Sequence, residues 1–206
     1  MGLVRRSAAI VASSVLLMLA ACGGENPAAR PSSSEEPTLS VASEPSDGGG
    51  KGDSGGEPTE TVPDIPPPDP KDFPGMDQKT DEGAEQAARY FFHVLYWAHQ
   101  TDGVAEYDQL VFRGCKGCKR ARAVITARTE AKSFWSKTEV KVDSCDLKYS
   151  DEDTREYHCR MAFSAHFEPA YPGEPAEEVD QTVIATGAHL KWRNGKWMAL
   201  GFAIAA

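Results

Sequence analysis

The 206-residue sequence has no apolar run long enough to cross a membrane as a helix. Its N-terminal apolar stretch, residues 8–20, is about 13 residues long and is interrupted by Ser13 and Ser14, whereas a spanning helix needs ~20. No Ser-His-Asp arrangement, Gly-rich phosphate loop or nucleotide-binding fingerprint is recognisable. We therefore expect no transmembrane helix and no cofactor, and the sequence alone indicates no particular reaction.

Large apolar side chains are scarce between residues 23 and 75. This stretch has one Phe, no Trp, Tyr or Cys, and eleven acids against three bases. It cannot bury enough apolar surface to offset the entropy of ordering. We predict a disordered Pro/Ser/Gly-rich acidic tether over residues 22–75, with a reach of ~40 Å. Residues 76–206 contain every Trp and Tyr of the chain and are predicted to form one globular domain.

The N-terminus has the features of an export signal. Arg5 and Arg6 precede the apolar stretch, and small residues follow it. The run Leu19-Ala20-Ala21-Cys22 resembles the bacterial lipobox. The resemblance implies a signal peptide over residues 1–21 and a diacylglyceryl group on the sulfur of Cys22. The protein would then be held by its lipid at the extracytoplasmic face of the cell membrane. A plain signal peptide is the alternative, and it would leave Cys22 as an unpaired thiol.

Charge excludes one class of partner and leaves another open. The net charge is −9, so we expect no nucleic-acid partner for this exported chain. Residues 113–132 nevertheless carry seven bases and one acid. The simple interpretation is a solvated helix face. The functional alternative is a basic patch that meets anionic lipid headgroups or wall polymers.

The first half of the domain has helical periodicity. Thr80 is the expected N-cap of a long helix that ends at Thr101-Asp102-Gly103. A short helix is predicted over residues 104–111, and a third over residues 119–135.

From Thr138 the period changes to two, which predicts strands. A turn at residues 151–153 places Cys145 opposite Cys159, and a phase slip near Asp143 indicates a bulge. Residues 168–178 are predicted to be a loop. Strands over residues 179–192 and 197–205 flank the hairpin signal Asn194-Gly195. Alternation places Met198, Leu200, Phe202 and Ile204 on one face, which allows a homodimer contact.

Three helices followed by a four-stranded meander indicate an α+β domain. The order resembles the cone-shaped domains related to nuclear transport factor 2, which implies three N-terminal helices packed on a curved antiparallel sheet. A second resemblance rests on the lipobox, the tether, Thr80-Asp81-Glu82-Gly83-Ala84, Ala98-His99-Gln100-Thr101-Asp102-Gly103, and the Cys115/Cys118 pair. In these segments the chain resembles an uncharacterised family of actinobacterial lipoproteins, a domain of unknown function. No catalytic residue follows from it.

Four cysteines remain after Cys22, and they allow three pairings. We predict disulfides Cys115–Cys118 and Cys145–Cys159, the second from the strand register. Cys115 and Cys118 are interpreted as a structural staple, with a redox-active pair as the alternative. A zinc site is disfavoured because the second pair is 14 positions apart, so no metal is expected.

The candidate pocket residues lie on the first helix and just beyond it. They are Tyr90, His93, Tyr96, Trp97 and Asp108. We predict a non-catalytic head that binds a small apolar ligand or an envelope protein. The alternatives are an enzyme using His93 and Asp108 in acid–base chemistry, and a thiol oxidoreductase using the Cys115/Cys118 pair. His93 could equally be a hydrogen-bonded histidine at the core edge. His166 and His189 are expected on the outer sheet surface, and His99 and His158 have no evident partner.

Overall fold

A computed structural model describes residues 61–204. The predicted signal peptide, the lipidation site Cys22 and the tether up to residue 60 lie outside the described residues. Within residues 61–204, no helix is long and apolar enough to cross a membrane.

Three α-helices precede the strands in this part of the chain. They are α1 (Asp81–Gln100), α2 (Val104–Asp108) and α3 (Lys116–Ala131), and a short 3-10 helix spans Pro70–Asp72. Thr80 caps α1 as predicted, because its Oγ1 accepts a hydrogen bond from the amide of Gly83 at 3.0 Å. α3 begins and ends earlier than predicted. Cys115 is its N-cap, and Lys132 closes it in the left-handed conformation with φ of +50°.

Four strands form an antiparallel sheet, namely β1 (Val140–Ser150), β2 (Thr154–Phe163), β5 (Thr182–Arg193) and β6 (Lys196–Ile204). Their order across the sheet is β1-β2-β5-β6. The predicted register is confirmed: Cys145 pairs with Cys159, and Trp192 with Trp197. The predicted bulge is also present, as a register shift between Val142 and Ser144.

The region predicted as a loop contains a second, two-stranded sheet. β3 (His166–Pro169) pairs with β4 (Ala176–Val179). β2 ends at Phe163, and β3 starts at His166 after two intervening residues, so the alternation of buried odd-numbered positions in β2 does not continue into β3. The prediction for His166 was therefore wrong: it is 3% exposed instead of lying on the outer sheet surface.

The core lies between α1 and the inner face of the main sheet. α1 contributes Phe91, Phe92 and Leu95, and the sheet contributes Met161 and Leu190, all of them at most 2% exposed. The wide apolar arc of α1 predicted this enclosure, because a helix that is apolar over most of its circumference must be covered on several sides.

The packed region begins before residue 76, the predicted boundary. Phe73 is buried, with ring-centroid distances of 5.2 Å to Tyr90 and 5.3 Å to His93. The indole of Trp97 donates a hydrogen bond of 2.9 Å to the carbonyl of Ile65. Residues 65–73, called the strap below, therefore lie against α1 instead of belonging to the tether.

The apolar row predicted on β6 does not lie on one face of the strand. The β5–β6 register shifts between His189 and Leu190, so the residues of β6 beyond Leu200 change face. Phe202 packs on Phe91 of α1 at 5.6 Å. The predicted row is thereby divided, and the homodimer it suggested stays a prediction.

Candidate functional site

The five candidate pocket residues do not converge on one site. His93 and Trp97 line a crevice beside the strap, whereas Tyr96 is buried and packs edge-on against Phe163 at 4.7 Å. Tyr90 contacts Phe73 and lines a smaller cavity of about 90 Å³. Asp108 lies on α2, and its two carboxylate oxygens accept hydrogen bonds of 2.8 and 2.9 Å from Nε of Arg122 on α3.

The strap crevice has a volume of about 400 Å³. Its walls come from the strap, from α1 and from the segment leading into β1, and they include Pro66, Asp72, His93, Trp97 and Thr138. Burial and the charge of Arg89 lower the pKa of His93, and the carboxylate of Asp72 opposes them. The acid that acts on His93 is therefore Asp72, not Asp108.

A second pocket opens between α1, α3 and the end of β6, and we call it the helix–strand pocket. Its volume is about 330 Å³. α3 contributes Gly117, Arg120, Ala121 and Val124, whose spacing of three and four places them on one helix face. α1 contributes Leu95, Tyr96 and His99, and β6 contributes Phe202 and Ile204.

The rim of this pocket is unusually apolar for a surface. Val124 is 38% exposed and Ile204 is 52% exposed. Isolated exposed apolar residues are common, but here two of them border the same concave surface. The combination of apolar walls and one arginine is typical of a ligand pocket.

Behind the pocket wall lies a cluster of aromatic and polar side chains. The ring of His99 stacks on Trp135 at 5.0 Å, and Trp135 contacts His166 at 5.2 Å. The guanidinium of Arg128 lies 5.9 Å from the Trp135 ring centroid. Arg128 also donates a hydrogen bond of 2.9 Å to the carbonyl of Pro169, which joins α3 to the β3–β4 hairpin.

Several polar atoms of this cluster are buried without a hydrogen-bond partner in residues 61–204. They are Tyr96 Oη, His99 Nδ1, Arg128 Nε and Trp135 Nε1. Buried polar atoms are nearly always paired in native proteins. The concentration of exceptions at this place distinguishes it from an ordinary core.

The two histidines of the cluster have opposite electrostatic environments. Burial and the nearby charge of Arg128 lower the pKa of His99 to about 3, so its imidazole is neutral. Burial also acts to lower the pKa of His166. The carboxylate of Glu168, 3.6 Å away, and the carbonyl of Ser164, 2.8 Å from Nδ1, outweigh burial and raise it.

Sequence reasoning missed this cluster. His99, Trp135 and His166 lie on three separate elements, and no local periodicity connects them. The one available signal was the pair of small residues Ser164-Ala165, which interrupts the run of large side chains in β2 and marks the phase reversal that buries His166.

Both predicted disulfides are present in the structure, Cys115–Cys118 and Cys145–Cys159. The Cα atoms are 5.2 Å and 4.0 Å apart, respectively. Cys115 and Cys118 are each 1% exposed. Attack on a disulfide requires access to a sulfur, so this burial favours the structural interpretation over a redox-active pair.

A third depression, of about 440 Å³, lies near Gly187 and Gly201. His158 and His189 border it, and Phe202 and Ile204 line both this depression and the helix–strand pocket. His158 forms a 3.1 Å contact with Glu156 of the same strand. Within residues 61–204, no group of three or more His, Cys, Asp or Glu side chains could hold a metal ion.

A family model described as a family of unknown function (DUF6318) matches residues 57–203. The chain belongs to this family. The DUF6318 match begins before the strap and continues almost to the end of β6, so it includes both disulfides, the strap crevice and the helix–strand pocket.

No curated protein matches the chain. Among solved structures, the intermembrane space region of the chloroplast protein ARC6 is 12% identical, with a TM-score of 0.45, over 63% of this chain and 98% of that one. An uncharacterised protein with a cystatin-like fold from Caulobacter vibrioides is 7% identical, with a TM-score of 0.41, over 60% and 91%. A putative polyketide cyclase from Xanthomonas campestris is 12% identical, with a TM-score of 0.35, over 58% and 89%.

Proposed function

We propose that this protein is a lipid-anchored lipoprotein of an actinobacterial cell envelope, whose folded domain binds a small ligand without catalysing a reaction. The anchor is supported by the lipobox sequence that ends at Cys22. The two disulfides support export, because such bonds persist in oxidising compartments. Two or more acyl chains on Cys22 would give stable membrane attachment.

The helix–strand pocket is the observation that carries the binding function. Its volume of about 330 Å³ falls within the range of small-molecule pockets. Val124 and Ile204 leave apolar surface at its rim that a ligand would cover. This supports a small apolar ligand over the alternative of an envelope protein, which would need a larger surface.

The structure gives less support to the enzyme alternative. Asp108 is engaged by Arg122, and its contacts do not include His93. The bulged strands support the cone-like curvature that the resemblance to cone-shaped domains implies, because bulges bend the strand that contains them.

The anchor is tested by expressing the full chain and its Cys22→Ala variant in an actinobacterial host. We expect the wild type in the membrane fraction, with acyl mass on its N-terminal peptide, and the variant without that mass. Wild-type protein that lacks acyl mass would refute the anchor.

Ligand binding is tested with a neutral apolar fluorescent probe, N-phenyl-1-naphthylamine, on the mature chain carrying Cys22→Ala. Val124→Trp should fill the pocket mouth and weaken probe binding by about tenfold, the equivalent of ~1.4 kcal/mol. Ala123→Trp is the matched control, because Ala123 is exposed on α3 and does not line the pocket. Equal effects of the two substitutions would contradict the assignment.

A further inference from the structure

We propose that the ligand of the helix–strand pocket is an anionic amphiphile with one alkyl chain, whose acidic head group binds Arg120 and Lys116 of α3. This inference rests on the ligand-binding function proposed above and adds the chemical class of the ligand.

The start of α3 has an unusual charge distribution. Arg113, Lys116, Lys119 and Arg120 are all exposed there, and the first turn contains no acid. The N-terminal end of a helix is the positive end of its dipole, so cations at this end are destabilising. The sequence therefore concentrates bases where they oppose helix stability, which favours a role in binding.

These bases are available to a ligand. Within residues 61–204, Lys116, Lys119 and Arg120 form no ion pair, whereas Arg122 in the next turn is neutralised by Asp108. A ligand with negative charge would complement this end of the helix. A neutral ligand would leave Arg120 and Lys116 without partners.

Arg120 connects the charge to the apolar pocket. It lines the pocket together with Gly117, Ala121 and Val124. Lys116 lies four residues earlier, which places it one turn away on the same side of α3. A guanidinium can bind a carboxylate or phosphate through two parallel hydrogen bonds, while Val124, Phe202 and Ile204 offer apolar surface to a chain.

The inner wall of the pocket supplies no competing charge. Its polar members are Tyr96 and His99. His99 is neutral because burial and Arg128 lower its pKa, and burial and Glu168 raise the pKa of Tyr96 above its ordinary value. Recognition of an acidic head group therefore depends on the bases of α3.

The test compares two probes with the same chain, decanoate and decan-1-ol, below their aggregation concentrations. Each displaces N-phenyl-1-naphthylamine from the mature chain carrying Cys22→Ala at pH 7.5. We expect decanoate to bind about tenfold or more tightly than decanol, as a charge-assisted hydrogen bond would give. Arg120→Gln should remove most of this preference, since only the charge of Lys116 then remains, and should weaken decanoate binding more than decanol binding.

Lys119→Gln is the matched control. It removes the same charge at the adjacent position, and Lys119 does not line the pocket. Its decanoate preference should stay within about twofold of wild type, since Lys119 does not border the pocket and would not contact the head group. Arg120 and Lys119 are both exposed, so both variants should fold, which circular dichroism and the unfolding midpoint would verify.

The other outcomes show which of the two proposals fails, and whether the acidic head group belongs to a free amphiphile or to a membrane lipid. If decanoate and decanol bind equally, the anionic class is wrong while ligand binding stands. If the neutral probe does not bind at all, both proposals fail. Sedimentation with phosphatidylglycerol and phosphatidylcholine vesicles measures whether the protein binds anionic lipid head groups in a membrane. Binding to anionic vesicles without monomeric decanoate binding would overturn the pocket site in favour of a membrane-surface contact.

Discussion

The strap provides the sharpest test of where the folded unit begins. Phe73→Ala removes a ring that is 8% exposed and contacts Tyr90 and His93. Replacement of a buried Phe by Ala costs roughly 3–5 kcal/mol. Because the strap lies at the surface and can relax around the missing ring, we expect a loss of about 3 kcal/mol, at the low end of that range.

Removal of the strap sets an upper limit on this effect. A chain that starts at residue 76 loses the Phe73 contacts and the hydrogen bond from Trp97 to Ile65, which is worth ~1 kcal/mol net. It also avoids the entropic cost of ordering the strap. If the strap detaches from α1 in the Phe73→Ala variant, the substitution and the truncation remove the same contacts between the strap and the helix. The truncation should therefore destabilise at least as much as the single substitution.

Urea unfolding followed by tryptophan fluorescence measures both effects, and Trp97 reports on the strap directly. Val62→Ala is the control, because Val62 is 45% exposed and should change the free energy of unfolding by less than ~0.5 kcal/mol. A truncated chain as stable as the full one, within that limit, would mean that the strap adds no net stability. Residue 76 would then be the true boundary.

Three further predictions concern the disulfide, the histidines and the buried arginine. Replacing Cys145 and Cys159 by alanine should lower the free energy of unfolding in urea by ~3 kcal/mol, since the bridge closes about 15 residues; an unchanged midpoint would contradict this. The unfolded chain protonates His99 near its ordinary pKa of 6.5, whereas the folded chain does so at about 3. The free energy of unfolding should therefore decrease by up to ~1.4 kcal/mol for each unit by which the pH is lowered from 6 to 4. His99→Gln should remove this contribution to the pH dependence. His166→Gln should act in the opposite sense, because the raised pKa of His166 adds stability as pH falls through it; parallel effects would refute the assignments. Arg128→Met should accelerate amide hydrogen exchange in the β3–β4 hairpin by tenfold or more, because it deletes the charged hydrogen bond to Pro169. Equal exchange in the variant and wild type would show that the hairpin is held by other contacts.

The parts of the fold with strong local signals were predictable. Thr80 and the acids after it mark the start of α1, and the turn at residues 151–153 predicted the register that pairs Cys145 with Cys159. The bulge near Asp143 was visible because Val140 and Val142 are out of phase with Leu147. The β6 bulge was not visible, because Trp197 to Ala203 is apolar on both faces and a shift of face leaves no trace in the pattern.

The strap was missed for a different reason. Residues 65–73 have the composition of a tether, with four prolines and one Phe. Proline lowers the entropy of the unfolded segment, so fewer contacts are needed to order it than an average composition suggests. Phe73 and the Trp97–Ile65 hydrogen bond are contacts of this kind, and they join positions far apart in the sequence.

The candidate site depends even more on long-range contacts. The helix–strand pocket combines residues from α1, α3 and β6, and a one-residue change in the β6 register would remove Phe202 from it. Composition identified the excess of bases in α3. Only the tertiary arrangement shows which of them, Arg120, borders apolar surface.

The buried Cys115–Cys118 bridge connects the redox state of the protein to this pocket. Cys118 Sγ lies 4.0 Å from the carbonyl of Ala199 in β6. Ala199 also exchanges hydrogen bonds of 2.8 and 2.9 Å with the segment at Leu110 and Phe112, just before the bridge. These contacts fix the first turn of α3 beside the strand that supplies Phe202. The bridge should therefore matter more to binding than its ~2 kcal/mol contribution to stability suggests.

We expect replacement of Cys115 and Cys118 by alanine to weaken binding of N-phenyl-1-naphthylamine several-fold under conditions in which the domain stays folded. The Cys145/Cys159 double variant is the matched control, since that bridge joins β1 to β2 and does not line the pocket. It should lose more stability and less affinity. Equal loss of affinity in both variants would mean that the first bridge acts through global stability alone, and that the start of α3 is held against β6 by packing without it.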